Sequence, residues 1–208
     1  MIKKLAPLEP VMRCIVAITG ASGIPLARRL LEFLKGRSEV YLIISESGKK
    51  VIEHEGDLEE IRSFAKRCYE EDELAADISS GSFKFDGMVI VPCSMKTLAA
   101  VANGYEDNLI SRAANNCLKQ EKKLILVPRE TPVNRAHIRN MLLASENGAS
   151  IVLPVLTFYT DPEKIGDMVD FVVGRVVELL NMEHDLYRRW QGAGAGAGEE
   201  REKKGKKG

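Results

Sequence analysis

Short runs that are apolar at consecutive positions alternate along the chain with segments whose apolar residues recur every three to four positions. The runs are residues 14–19 (CIVAIT), 39–45 (EVYLIIS), 87–92 (GMVIVP), 123–128 (KLILVP) and 150–155 (SIVLPV). Each is rich in β-branched residues and apolar on both faces, as strands buried in a parallel sheet are. Between them, residues 25–35, 47–54, 95–103, 108–120, 134–147 and 163–181 carry the helical period. Pro25 falls in the first turn of its helix, where a missing N–H costs nothing, and Gly148 follows residues 134–147 as a C-terminal cap. This alternation predicts an α/β fold, a three-layer Rossmann- or flavodoxin-like sandwich around a mostly parallel sheet. In such sheets ligands collect at the carboxyl ends of the strands, so the strand exits are where chemistry is expected.

Residues 56–86 are less regular; the acidic cluster 70-EEDE-73 reads as a solvated face and 79-SSGS-82 as a flexible loop. No internal repeat is visible. Residues 191–208 form a Gly-Ala and Lys-rich tail that cannot build a core, so one domain over residues 1–190 followed by a disordered tail is expected. With 208 residues there is material for one sizeable core. A formal net charge of zero gives no reason to expect nucleic acid or a membrane surface as partner. No run approaches the ~20 apolar residues of a membrane span, and residues 1–13 lack the apolar core of a signal peptide. Cys14, Cys68, Cys93 and Cys117 are widely spaced, with neither a C-x-x-C nor a histidine at metal-ligand spacing. A reducing, cytoplasmic setting and no metal follow as expectations.

The first strand exits into 19-TGASGIP-25, where two glycines either let backbone N–H groups approach an anion or simply make a tight turn. A short-chain dehydrogenase would begin similarly but needs a Tyr-x-x-x-Lys pair, and none of the five tyrosines has a lysine four residues on. Ser45, at the second exit, is either a ligand hydroxyl or a helix cap. At the third exit, 92-PCSMKTLAAVANG-104, Ser94 and Thr97 flank another helix start, as cradle or as cap. The fourth delivers Arg129 and Glu130 side by side, and the fifth leads to Tyr159. On the last helix, Arg175 flanks the apolar stripe of Met168, Phe171 and Leu179, snorkelling outward or reaching an anion. Arg112 and Lys119, seven residues apart, share one helix face.

Together, 20-GASG-23, 92-PCSMKTLAAVANGYEDNLISRAA-114, 126-LVPRETP-132, 157-TFY-159, 170-DFVVGRV-176 and Arg189-Trp190 resemble the UbiX/Pad family of flavin prenyltransferases, relatives of the cysteine-peptide decarboxylases. The resemblance runs from about residue 13 to 190. It implies transfer of a dimethylallyl group from dimethylallyl phosphate to N5 and C6 of reduced FMN, without a metal. The prenylated FMN would then serve a UbiD-type decarboxylase. It also implies a homododecamer with sites shared between subunits. The matching FMN contacts are Gly20, Ala21, Ser22, Ser45, Ser94, Met95, Lys96, Thr97 and Arg129. Arg112, Lys119, Arg129, Tyr159 and Arg175 match the groups that meet the prenyl phosphate, and Trp190 matches a tryptophan near the end of the fold. Glu130 matches the acid/base residue, while Ser22 and Glu55 match groups near flavin N5 and the leaving phosphate. The chain departs from many relatives at Ile24-Pro25-Leu26 and in the acidic segment before residue 79, which bears on pocket shape rather than reaction class. Two rival readings are an FMN-dependent aromatic-acid or cysteine-peptide decarboxylase and a non-catalytic FMN carrier. The first calls for a catalytic histidine that His54, His137 and His184 do not match in position; the second has no need of Glu130.

Overall fold

The computed structural model describes residues 12–190; residues 1–11 and the whole of the 191–208 tail, with the domain boundary expected there, lie outside the described residues. Six parallel strands make one sheet in the order β3-β2-β1-β4-β5-β6. They are β1 (Met12–Ile18), β2 (Ser38–Ile44), β3 (Arg67–Glu70), β4 (Gly87–Cys93), β5 (Lys123–Pro128) and β6 (Ala149–Ile151). Strand residues alternate between two cores. Cys14, Val16, Ile18, Leu42, Val89 and Ile125 face one helical layer; Ile15, Ala17, Ile43, Met88, Ile90 and Leu126 face the other. Both faces are covered, which is why these strands read as continuous apolar runs.

The first layer contains α1 (Ile24–Leu34), α2 (Glu46–Glu55), α3 (Leu58–Ser63) and α7 (Ile165–Leu179). The second contains α4 (Met95–Ala102), α5 (Leu109–Lys119) and α6 (Arg135–Glu146). The predicted helices match within two residues at each end, and Gly148 (φ +102°) sits just past α6, where a left-handed residue ends a helix. No helix of the described residues is long and apolar enough to cross a membrane.

Three expectations are corrected. The sheet has a sixth strand, β3, at an edge inside the segment that looked irregular. The run 150–155 pairs only as far as Ile151, with Val152 N–H reaching Leu126 O at 2.9 Å. Pro154 has no N–H to give a ladder, and the chain peels away with Leu153, Val155, Leu156 and Phe158 exposed. The acidic cluster is fastened rather than freely solvated. Glu70 pairs with Lys49 and Arg62, and the Glu71 carboxylate accepts from Glu46 N–H (2.8 Å) and the Asn108 amide (3.1 Å).

After α7 the chain folds back over that helix. Gly174 permits it: a Cβ there would lie 2.6 Å from the Tyr187 ring and 2.8 Å from the His184 ring. This return strap carries Arg189 and Trp190 to the side of the 152–159 segment, where Tyr159 meets Trp190 edge to face at 5.9 Å.

Candidate functional site

The strand order reverses direction of growth between β1 and β4, so the crevice for a ligand opens at the carboxyl ends of those two strands. Thr19, 1% exposed, stitches its rim. Its Oγ1 donates to Pro92 O (2.8 Å) and accepts from Ser94 N–H (2.7 Å), and its own N–H reaches Pro92 O (3.2 Å). The Thr19 hydroxyl therefore sets the β4 exit against the β1 exit. No role for it was visible in the sequence, although it stands at the head of the glycine loop.

Gly20 owes its identity to crowding: a Cβ there would lie 2.4 Å from Ser47 Cβ. We expect Gly20→Ala to push α2 away from the crevice, destabilising the fold by about 1–3 kcal/mol. Thermal melting reads it, and a wild-type Tm would refute the close-packing account.

The loop after β1 does not present an empty anion cradle. Glu55, from the end of α2, accepts from Gly23 N–H (2.8 Å) and Ile24 N–H (3.0 Å), the groups an external anion would use. Burial pushes its carboxyl up, but hydrogen bonds from Ser22, Gly23 and Ile24, with the Arg129 charge, outweigh burial and hold it below the ordinary glutamate range. Ser22, Glu55 and the Arg129 charge thus meet at one place. At α4 the Ser94 hydroxyl accepts from Thr97 N–H (3.3 Å) and lies 3.0 Å from Thr97 Oγ1, while Leu98 N–H bonds Ser94 O. Among the described residues nothing bonds the Met95 and Lys96 N–H groups, which as first-turn donors have no partner within the helix. Ser45 caps α2 through Gly48 N–H (3.0 Å), the local role the sequence left open, and remains within this buried rim. Ala21 is buried in the loop. Lys96 reaches outward to Asp107 (3.5 Å). Cys93, at the β4 exit, is fully buried, and burial pushes its thiol up to about 12, so it is inert core rather than a nucleophile.

Two hollows adjoin the loop after β6 and line α7 from end to end. An apolar cleft of about 500 Å³ has Ser22 and Glu55 at one wall and Leu156, Ile165, Met168 and Val172 among its others. A polar pocket of about 460 Å³ is bounded by Tyr159, Arg175, Glu178, Tyr187, Arg189 and Trp190. Glu130 lies exposed in the turn after β5, its Oε1 accepting from Thr131 N–H at 2.9 Å.

Arg112 and Lys119 do not join this group within one chain. They lie on α5, in the helical layer opposite α7, where Arg112 donates to Ser79 O (3.3 Å) and approaches Glu106 (3.7 Å). The sequence also missed Glu178, three residues after Arg175 on the same face of α7, a spacing that signals an ion pair.

The flavoprotein family model matches residues 6–177. Flavin prenyltransferase UbiX of Methanocaldococcus jannaschii is 50% identical over 181 residues, 86% of this chain and 98% of that protein. The AnUbiX (PadA1) structure, in complex with FMN and dimethylallyl pyrophosphate, superposes with a TM-score of 0.86 at 41% identity over 88% of this chain and all of that one. The dodecameric FMN-dependent UbiX-like decarboxylase from Escherichia coli O157:H7 superposes with a TM-score of 0.84 at 44% identity, covering 87% and 100%. By the extent of the family match and by identities of up to 50% over most of both chains, the chain belongs to the flavoprotein family and, within it, to the UbiX flavin prenyltransferases.

Proposed function

We propose that the protein joins the dimethylallyl group of dimethylallyl phosphate to N5 and C6 of reduced FMN, making prenylated FMN for a UbiD-type decarboxylase. The observation that carries this reading is the adjacency, along α7, of an apolar cleft walled by Ser22 and Glu55 and a pocket lined by arginine and tyrosine. An allylic phosphate ester needs both: dry walls for its hydrocarbon and cations for the charge that leaves.

The crevice suits a flavin nucleotide. Gly20, Ala21, Ser22, Ser45 and the start of α4 (Ser94, Met95, Lys96, Thr97) are its contacts, with Arg129 beside them. Reduced FMN supplies the electron-rich ring edge that the allylic carbon joins. Arg129, Arg175 and Tyr159 hold the phosphate and stabilise its charge as the C–O bond breaks. Two hydrogens would leave N5 and C6 as protons while the departing phosphate and the alkene carbon each gain one, and Glu130 would relay protons between these positions. Ser22 and Glu55 orient the N5 edge, and Trp190 bounds the phosphate pocket beside Tyr159.

Arg112 and Lys119 serve the phosphate of a neighbouring subunit in a homododecamer, the state in which the E. coli relative is described. The exposed Ile138, Leu142, Val155 and Phe158 supply apolar surface for such contacts. A reducing, cytoplasmic compartment suits the four free cysteines, three of them buried.

Anaerobic incubation with reduced FMN and dimethylallyl phosphate, followed by mass spectrometry of the flavin, tests the reading. We expect a flavin heavier by one dimethylallyl unit. Recovery of unmodified FMN with carbon dioxide released from an aromatic acid would favour the decarboxylase, and unmodified FMN alone the carrier.

A further inference from the structure

The Glu178 carboxylate is a hub. Its Oε1 accepts from the Tyr187 hydroxyl (2.9 Å) and lies 3.3 Å from His184 Nε2 and 3.5 Å from Arg189 Nη2; its Oε2 pairs with Arg175 Nη1. The anchor is sheltered and the heads are open: the Glu178 side chain is 22% exposed, against 53% for Arg175 and 64% for Arg189. Burial pushes the Glu178 carboxyl up, but Tyr187, Arg175 and His184 together hold it below the ordinary range, so it is charged when the arginines need it.

We propose that Arg189 is a further substrate-binding residue, a second guanidinium for the phosphate of the allylic ester, and that Glu178 is the positioning residue that presents it together with Arg175. The inference rests on the prenyl-transfer reading above. A guanidinium has five N–H donors in a fixed fork, and one contact to Glu178 leaves most of each fork for a ligand. Two guanidiniums against one carboxylate leave the pocket net cationic. Tyr159 and Trp190 bound the same opening. Arg189 is not needed to fasten the strap. The rings of His184 and Tyr187 already lie in the space Gly174 leaves, and the Tyr187 hydroxyl bonds Glu178 at 2.9 Å, shorter than the 3.5 Å approach of Arg189.

Two steady readouts test the proposal on full-length, FMN-loaded protein. One is the KM for dimethylallyl phosphate; the other is the Kd for inorganic phosphate by calorimetry, which needs no turnover. We expect Arg189→Ala to raise both about tenfold or more, with Arg189→Lys recovering part of the loss. Glu178→Gln alone is ambiguous, because it removes a charge that repels phosphate and also frees the arginines. Coupling is the informative quantity. If Glu178 presents Arg189, the penalty of Arg189→Ala shrinks several-fold in the Glu178→Gln background. Wild-type KM and Kd in Arg189→Ala would overturn the substrate-binding role; an undiminished penalty in the double variant would overturn the positioning role. Should wild type bind phosphate through Arg189 yet leave FMN unmodified, the anion site stands and prenyl transfer falls.

Discussion

Glutamine at position 130 should leave FMN bound and slow prenylation by about 10²- to 10⁴-fold, the usual loss when a general acid/base is removed. Glu130→Gln keeps the shape and the hydrogen bond to Thr131 N–H (2.9 Å in the wild type). What it loses is the capacity to release or accept a proton. Because Arg129 N–H is tied to Cys93 O at 3.3 Å, the strand exit that carries residue 130 stays in place, and cofactor affinity is not expected to move. Anaerobic single-turnover measurements with saturating FMN separate chemistry from binding. Wild-type turnover in this variant would remove Glu130 from the mechanism.

The second large effect is expected at Glu55. Glu55→Ala strips a partner from two helix-start N–H groups and from Ser22 at once. A lost cap of this kind costs about 0.5–2 kcal/mol, and the misplaced Ser22 loop should lower prenylation roughly 100-fold, as small misplacements at reacting atoms do. Glu55→Gln still offers one acceptor and should keep more of the stability. The pH dependence has a definite sign. A carboxylate whose folded pKa lies below its unfolded value of about 4.3 stabilises the fold above that value, and the contribution is lost as pH falls through the folded pKa. The Tm difference between wild type and Glu55→Gln should therefore be widest above about pH 4.3 and shrink below it. A gap that stays constant down the acid limb would contradict the charged-cap account.

Much of this architecture was legible because two-sided burial leaves a plain mark. Strands such as Cys14–Ile18 and Leu124–Val127 bury residues into both layers and so appear as unbroken apolar runs. The β3 strand was hidden for the opposite reason: it is four residues at a sheet edge, and of Arg67, Cys68, Tyr69 and Glu70 only Tyr69 is fully inside. In the site, hydroxyls at strand exits could be found by position, but not their use. Ser45 and Ser94 both cap helices. The occupation of the α1 start by Glu55 joins residues 32 apart, and Thr19 links exits 73 residues apart; neither separation leaves any local period to read. The placement of Arg112 and Lys119 away from Tyr159 and Arg175 is likewise a matter of which layer α5 joins, decided by packing rather than by the helix's own pattern.

The two helix starts at the crevice are unlike in a way that matters for the chemistry. One is plugged by the chain's own acid, while at the other nothing among the described residues bonds the two first-turn amide donors. On the prenyl-transfer reading, a guest with a single anionic tail is expected to seat that tail at the second start and not the first, so the same rim of its ring system would meet the reacting partner each time.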